Sequence, residues 1–227
     1  MTEQTTQKKY ELLKDDTVEH LGRTLYRIKA LITFGLVGAG QLGGYIETEK
    51  NLDHSGNAWV YDNARVCGDA RVYGNACVYD DAWVYGDARV YGNACVYDNA
   101  RVFGNAWMCG NARVYGNAWV YGDACVYGDA WVYGNALVYG NARVFGNAWV
   151  RSFAVISERK MIFWASNVGS ENGTLTVSNG KFGLIVTRGC FTGTVDEFLS
   201  KSKEVHDNKT HHEYKLLIEV AQSRILN

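Results

Sequence analysis

From Gly56 to Arg151 the chain repeats a six-residue unit sixteen times without an insertion, running GNAWVY, DNARVC, GDARVY, GNACVY and on to GNAWVR. Position three is always Ala, and position five is Val everywhere except Met108. Position six is mostly Tyr or Phe, while position four varies among Trp, Arg, Cys and Leu. Side chains on a strand alternate between faces, so Ala and Val share one face and positions four and six share the other. Only the nearly invariant Ala/Val set suits a core. Positions one and two, Gly or Asp followed by Asn or Asp, tolerate positive φ and mark a corner every six residues. Three short strands and three corners close an 18-residue coil, and stacked coils form a parallel β-helix.

The repeat makes about five coils and a prism on the order of 25 Å long, at roughly 4.8 Å per rung. A decayed seventeenth unit, SFAVIS, follows at Ser152–Ser157. The chain contains no Pro, as expected where every strand amide is needed by a neighbouring coil. Folding the repeat by eighteen sorts position four into three outward columns. The first reads Trp59, Cys77, Cys95, Arg113, Trp131, Trp149; the second Arg65, Trp83, Arg101, Trp119, Leu137; the third Arg71, Arg89, Trp107, Cys125, Arg143. Aromatic residues at position six run beside each column. Such ladders stabilise a thin interior through neighbouring pairs and through Arg–Trp cation–π contacts, as in Arg65, Trp83 and Arg101. Exposed Trp, Tyr and Arg also dominate binding hot spots. The interface candidates are therefore Trp131 and Trp149 first, then Arg113, Tyr115, Tyr133, Trp83, Trp119 and Arg101.

These units resemble the hexapeptide-repeat, left-handed β-helix proteins, and left-handedness is implied by that resemblance alone. The segment LGGYIETEKNLDHSGNAWVY at Leu42–Tyr61, followed by NAxV repeats, resembles the YdcK-like proteins classed as acyltransferases. Together with FWASNVGS and TRGCFTGTVDEF nearer the C-terminus, it also resembles uncharacterised β-helix proteins common in phages and prophages. A flat aromatic face of this size seldom stays bare, so a homo-oligomer is expected; the resemblance favours a trimer and implies a general-base His near a subunit interface in any acyltransferase. The coils contain no His, and sixteen units run unbroken where acyltransferases carry an active-site loop. His54, just before the first coil, is the one weak candidate for a base; a capping role is the plainer assignment. His206, His211 and His212 read as solvated residues between two helices.

Gly38-Ala-Gly-Gln-Leu-Gly43 matches G-x-G-x-x-G, but that motif needs a helix N-terminus to receive a pyrophosphate. No helix pattern follows it, so it reads as a glycine-rich connection. Cys77 and Cys95 lie one coil apart with parallel Cβ vectors, poor geometry for a disulfide. Neither a metal site nor a cofactor is expected.

The expected organisation is a disordered tail over 1–9, an N-terminal β cap and connector over 10–55, the β-helix over 56–157 and a C-terminal α+β module over 158–227. In the cap, YELL, TVEHL and TLYRIKAL read as strands, with a turn at Asp15-Asp16. In the module, KMIFWA, GTLTV and FGLIVT read as strands. Capping boxes at Thr194–Glu197 and Thr210–Glu213 open two helices; Tyr214, Leu217, Ile218, Ala221 and Ile225 line one apolar stripe. Twenty-three basic residues against 24 acidic ones exclude a chain that is polyanion-binding as a whole. No apolar run is long enough to span a membrane, and the N-terminus lacks an apolar signal core, so a cytoplasmic location with free thiols is expected. The leading functional reading is a non-enzymatic, oligomeric binding or scaffold protein, phage- or prophage-associated. It would recognise a host protein or small ligand through aromatic–Arg surfaces or subunit clefts. An acyl-CoA-dependent acyltransferase using His54 is the first alternative. A single-stranded nucleic-acid binder on Trp/Arg ladders is the second, opposed by corner acids such as Asp69, Asp81, Asp87 and Asp129.

Overall fold

In the computed structural model, which describes residues 7–20 and 22–227, amides of each coil donate to carbonyls of the next. Trp59 N reaches Ala76 O at 3.1 Å, Cys77 N reaches Ala94 O at 3.0 Å and Cys95 N reaches Ala112 O at 2.9 Å. Two-residue strands stack in parallel register, Trp59↔Cys77↔Cys95↔Arg113↔Trp131↔Trp149, as the six-stranded sheet of the first face. The second and third columns form their own sheets. The body is thus a mainly β, parallel β-solenoid of about six turns. Every position-three Ala and position-five Val of the repeat is fully buried, as is Met108. Each Val buried in this way is worth about 1.5–3 kcal/mol, repeated down one axis.

The corners follow from the same register. Gly110 has φ +69°, and a Cβ there would lie 2.9 Å from Gly128 N, so two of the three corner columns are glycine throughout. The remaining corner admits Asp62, Asp80 and Asp98 at φ 52°, 57° and 56°. There the carboxylate reaches along the axis, and Asp98 Oδ2 accepts from Gly116 N at 3.0 Å. Position-two amides form a second ladder: Asn75 donates to Asn93, Asn93 to Asn111, and Asn111 to Asp129 at 2.8 Å.

Two strands, β1 (Tyr10–His20) and β2 (Arg23–Ala30), form an antiparallel hairpin. The turn expected at Asp15-Asp16 is a bulge inside β1, because Leu13 pairs with Arg27 and Thr17 with Tyr26. Asp16 stays there because Arg27 Nε donates to it at 2.7 Å. The reversal lies between His20 and Arg23, where Gly22 has φ +71°. A third strand, β3 (Leu42–Ile46), pairs antiparallel with β2 and parallel with Arg65–Val66. With Leu52 bridging to Val72, the expected connector forms a first, non-repetitive coil.

The terminal coil's carbonyls would face a missing neighbour, and side chains take its place. Lys9 Nζ donates to Ala58 O at 2.9 Å and Gly56 O at 3.5 Å. Asn51 Nδ2 donates to Gly68 O and Ala70 O, each at 2.9 Å. Arg27 Nη1 reaches Asp62 O at 3.3 Å. The expected tail over 1–9 is therefore corrected at its end, since Lys9 is buried and Lys8 pairs with Glu49 at 2.6 Å; residues 1–6 lie outside the described residues.

At the other end four antiparallel strands, Ile162–Val168, Gly173–Gly180, Gly183–Arg188 and Phe191–Gly193, sit on the last coil. Thr176 Oγ1 accepts the otherwise open amide of Trp149 at 3.0 Å. Helix α1 (Val195–Val205) opens on the expected Thr194 capping box. Helix α2 (Asn208–Leu226) starts earlier than Thr210: the Asp207 carboxylate accepts Thr210 N at 2.7 Å and caps it. Tyr214, Ile218, Ala221 and Ile225 pack with Leu175, Val177, Val186 and Phe198 as the module's own core.

Gly110→Ala should cost about 1–3 kcal/mol for backbone strain alone, read as a lowered urea midpoint; Asp98→Gly at the tolerant corner should cost less. Burial lowers Lys9 from its ordinary pKa of 10.5 to about 8. The folded state therefore binds fewer protons than the unfolded chain between those values, so Lys9 contributes stability that rises with pH from 8 to 10.5. Lys9→Met, which keeps the stem and removes the donor, should lose about 1–3 kcal/mol for two unpaired carbonyls. It should also lose this pH-dependent rise in paired denaturation curves.

Candidate binding faces and cleft

Because like stacks on like, the outer side chains form continuous ladders. Tyr79, Tyr97, Tyr115 and Tyr133 stack at 4.8, 4.7 and 4.7 Å, nearly parallel. Tyr85, Phe103, Tyr121 and Tyr139 do the same on the second face. Burial raises the hydroxyl pKa of Tyr115 to about 12, so this ladder is uncharged. Arg and Trp interleave in position four: Arg101 lies 4.5 Å from the Trp83 ring and 4.9 Å from Trp119, and Arg113 lies 5.0 Å from Trp131. Arg65 completes the expected stack at 5.5 Å from Trp83.

The caps divide these faces unequally. On the first face Trp59 is fully buried beneath Tyr10 and Phe34. Trp131 and Trp149 stack at 5.2 Å, but both are half-buried. They line a cleft of about 360 Å³ with Gly173, Thr174, Arg188 and Gly189 of the C-terminal module. Arg151 ties that module down, donating to Tyr133 Oη at 3.0 Å and to the carbonyls of Gly189 and Phe191. Tyr115 is half-buried like Tyr133, and Arg113 stays exposed. On the second face the β1–β2 hairpin covers the start: His20 packs edge-on to Trp83 at 4.0 Å, and Leu25 and Val18 cover Cys67 and Tyr85. Burial, then Arg65 and Arg101, lower the His20 pKa, favouring its neutral form. Beyond the hairpin Trp119 is 37% exposed, between half-buried Arg101 and Leu137. The third face is the most open, with Arg71, Arg89, Trp107 and Arg143 all exposed.

Where the N-terminal coil meets the third face lies a cleft of about 510 Å³, lined among others by Glu49, Asp53, His54, Arg71, Tyr73 and Arg89. His54 is built into its wall. Its ring stacks on Tyr10 at 4.4 Å, and Nδ1 accepts the Lys9 amide at 3.2 Å. Nε2 is shielded from solvent and lies 3.6 Å from Glu49 Oε2. In the neutral tautomer this leaves no lone pair for a substrate proton. The sequence placed His54 beside the coils, but the contacts that tie it up come from Lys9 and Tyr10, far away in the chain. His211 Nδ1 lies 3.2 Å from Ser202 Oγ, and His206 packs edge-on to Tyr214, so both join the α1–α2 junction. Of the glycines of GAGQLG, Gly43 serves packing, since a Cβ there would lie 2.5 Å from Val60 O, and Gly40 takes φ +85°; strand β3, not a helix, starts at Leu42. Among the described residues no cluster of three His, Cys, Asp or Glu is placed to hold a metal ion. Among the described residues no helix is long and apolar enough to cross a membrane.

The family described as YdcK Beta solenoid repeat matches residues 64–80, 70–86, 82–97, 94–110, 108–122 and 136–152. All six stretches fall within the stacked coils. The chain is a β-solenoid repeat protein. Comparison with curated proteins gives no match.

Within the solenoid one chemically distinct pair follows from the ladder geometry. Cys77 and Cys95 are register partners and both are free. The neighbouring Cys77 thiol, opposed by burial and aided by Arg113, lowers the pKa of the Cys95 thiol. Its register partner Cys77 is pushed up by the neighbouring thiol and by burial. Alkylation of the native protein with iodoacetamide, mapped by mass spectrometry, should label Cys95 with a pH midpoint below that of an ordinary thiol. Cys77→Ala should move that midpoint upward; an unchanged profile would show that the pair shares no proton.

Proposed function

We propose that this solenoid is a non-enzymatic, oligomeric binding scaffold, whose ladders present aromatic–Arg surfaces and clefts to other molecules. One observation carries the reading: Trp119 is 37% exposed on a rigid, otherwise aromatic second face that neither cap covers at that point. It sits with Arg101, Phe103, Tyr121, Leu137 and Tyr139. A flat aromatic patch in fixed register favours association, because its side chains are already ordered and lose little freedom on contact. Its occupant is a second copy of this chain. Beyond the hairpin the Arg101–Trp119 step is self-complementary, so a second copy sets guanidinium against indole. The trimer and the phage association come from the resemblance to hexapeptide-repeat and prophage proteins. Catalysis at His54 is disfavoured because Nδ1 already accepts the Lys9 amide and Nε2 is shielded from solvent.

Native mass spectrometry tests this reading. The wild-type chain should run as a homo-oligomer, a trimer on this proposal, and Trp119→Ala should shift it toward monomer with unchanged circular dichroism. Assembly lost in Trp131→Ala/Trp149→Ala and kept in Trp119→Ala would move the interface to the first face. A monomeric wild type at micromolar concentration would overturn the oligomeric scaffold.

A further inference from the structure

The position-four ladders follow a rule with a single complete exception. Arg is followed along the axis by Trp at Arg65–Trp83, Arg101–Trp119, Arg113–Trp131 and Arg89–Trp107. Only Arg71 and Arg89 place two guanidiniums on successive rungs. Among the described residues neither takes part in an ion pair or donates a side-chain hydrogen bond, and both are exposed. Arg89 rests against Trp107 at 5.1 Å, which orients its plane. This one doubly basic step coincides with the 510 Å³ cleft.

The acids of the cleft are already engaged elsewhere. Glu49 pairs with Lys8 at 2.6 Å and faces His54. Asp53 accepts from Ser55 N at 3.0 Å and Ser55 Oγ at 2.8 Å. Tyr73, stacked on Tyr91 at 4.9 Å, places a further aromatic group between the two arginine rungs and the corner. Burial raises its pKa, so its hydroxyl remains a donor at neutral pH. Two guanidiniums on successive rungs repel one another until an oxyanion sits between them, and each offers the planar donor pair that carboxylates and phosphates accept.

We propose that Arg71 and Arg89 form the anion-binding wall of a small-ligand site in this cleft, specific for an oxyanion-bearing compound, a carboxylate or a phosphate ester. The site deepens the binding-scaffold reading but does not depend on oligomerisation, because every residue that builds it belongs to one chain.

Isothermal titration calorimetry on the full-length protein at fixed ionic strength tests it, with inorganic phosphate and acetate as probes. Wild type should bind at one site per chain. Arg71→Gln and Arg89→Gln should each weaken binding at least tenfold, while Arg143→Gln, an exposed arginine on the same face, should leave it unchanged. Phosphate bound more tightly than acetate assigns a phosphorylated ligand, and comparable affinities assign a carboxylate. No heat with either anion, or equal weakening in Arg143→Gln, would overturn the site. Because native mass reports assembly separately, loss of the anion site and loss of the oligomeric reading are distinguishable.

Discussion

Amide-to-carbonyl bonding between successive coils, at a constant offset of eighteen residues, is the constraint on which everything else in this protein rests. It puts Ala on Ala and Val on Val inside, and Tyr on Tyr and Asn on Asn outside. An inserted or deleted residue would break three sheets at once, which explains sixteen uninterrupted units. The same constraint makes corners unforgiving: a backbone in the left-handed region, packed against its own copy one rung away, has no space for a Cβ. Asp62, Asp80 and Asp98 are tolerated because their carboxylates find the next coil's amide as partner.

A stack of this kind leaves a row of open carbonyls at one end and open amides at the other, a template for further strands. Here the two ends are closed by different chemistry, matched to the groups exposed. Carbonyls meet donors that have no acceptor function of their own, Lys9 and Arg27, or an amide NH₂ from Asn51. The Trp149 amide meets an acceptor, the Thr176 hydroxyl. Side chains thus perform at the ends of a solenoid the task that capping residues perform at helix termini. A buried ammonium is the costliest of these devices, and its lowered pKa reflects the desolvation it endures.

How legible each part was in the sequence follows from whether its contacts repeat. Ala58 or Val60 could be assigned inward because the same neighbour relation recurs sixteen times, and all three position-four columns emerge as sheets in that order. The first coil was hidden because Gly44, Asn51 and Leu52 fill it without the repeat's spelling, and its partners Tyr45↔Arg65 and Leu52↔Val72 are twenty residues apart, not eighteen. Asp15-Asp16 carries turn residues, yet Arg27 across the hairpin makes it a bulge. Asp207 and Thr210 both offer cap chemistry three residues apart, and the carboxylate starts the helix. At the candidate sites, the identity of the ladder residues was readable, but their coverage was not. That Trp131 and Trp149 lean under the C-terminal module depends on Arg151 reaching Gly189 and Phe191, a contact that no local pattern announces.

In a repeat this regular, a departure from pattern costs the cooperativity of a ladder, so each departure asks for a local compensation. Most have one in the structure. Met108 replaces Val inside without exposure. Ser152 takes a left-handed corner where the coils end, and Arg151 replaces an aromatic so that it can hold the module. The Arg71–Arg89 step sets like charges side by side, and among the described residues Arg71 has neither an ion pair nor the ring contact that Arg89 makes with Trp107. That step lies where the solenoid opens into the 510 Å³ cleft toward the N-terminal coil. Structural stability explains neither fact, whereas recognition of an anion accounts for both.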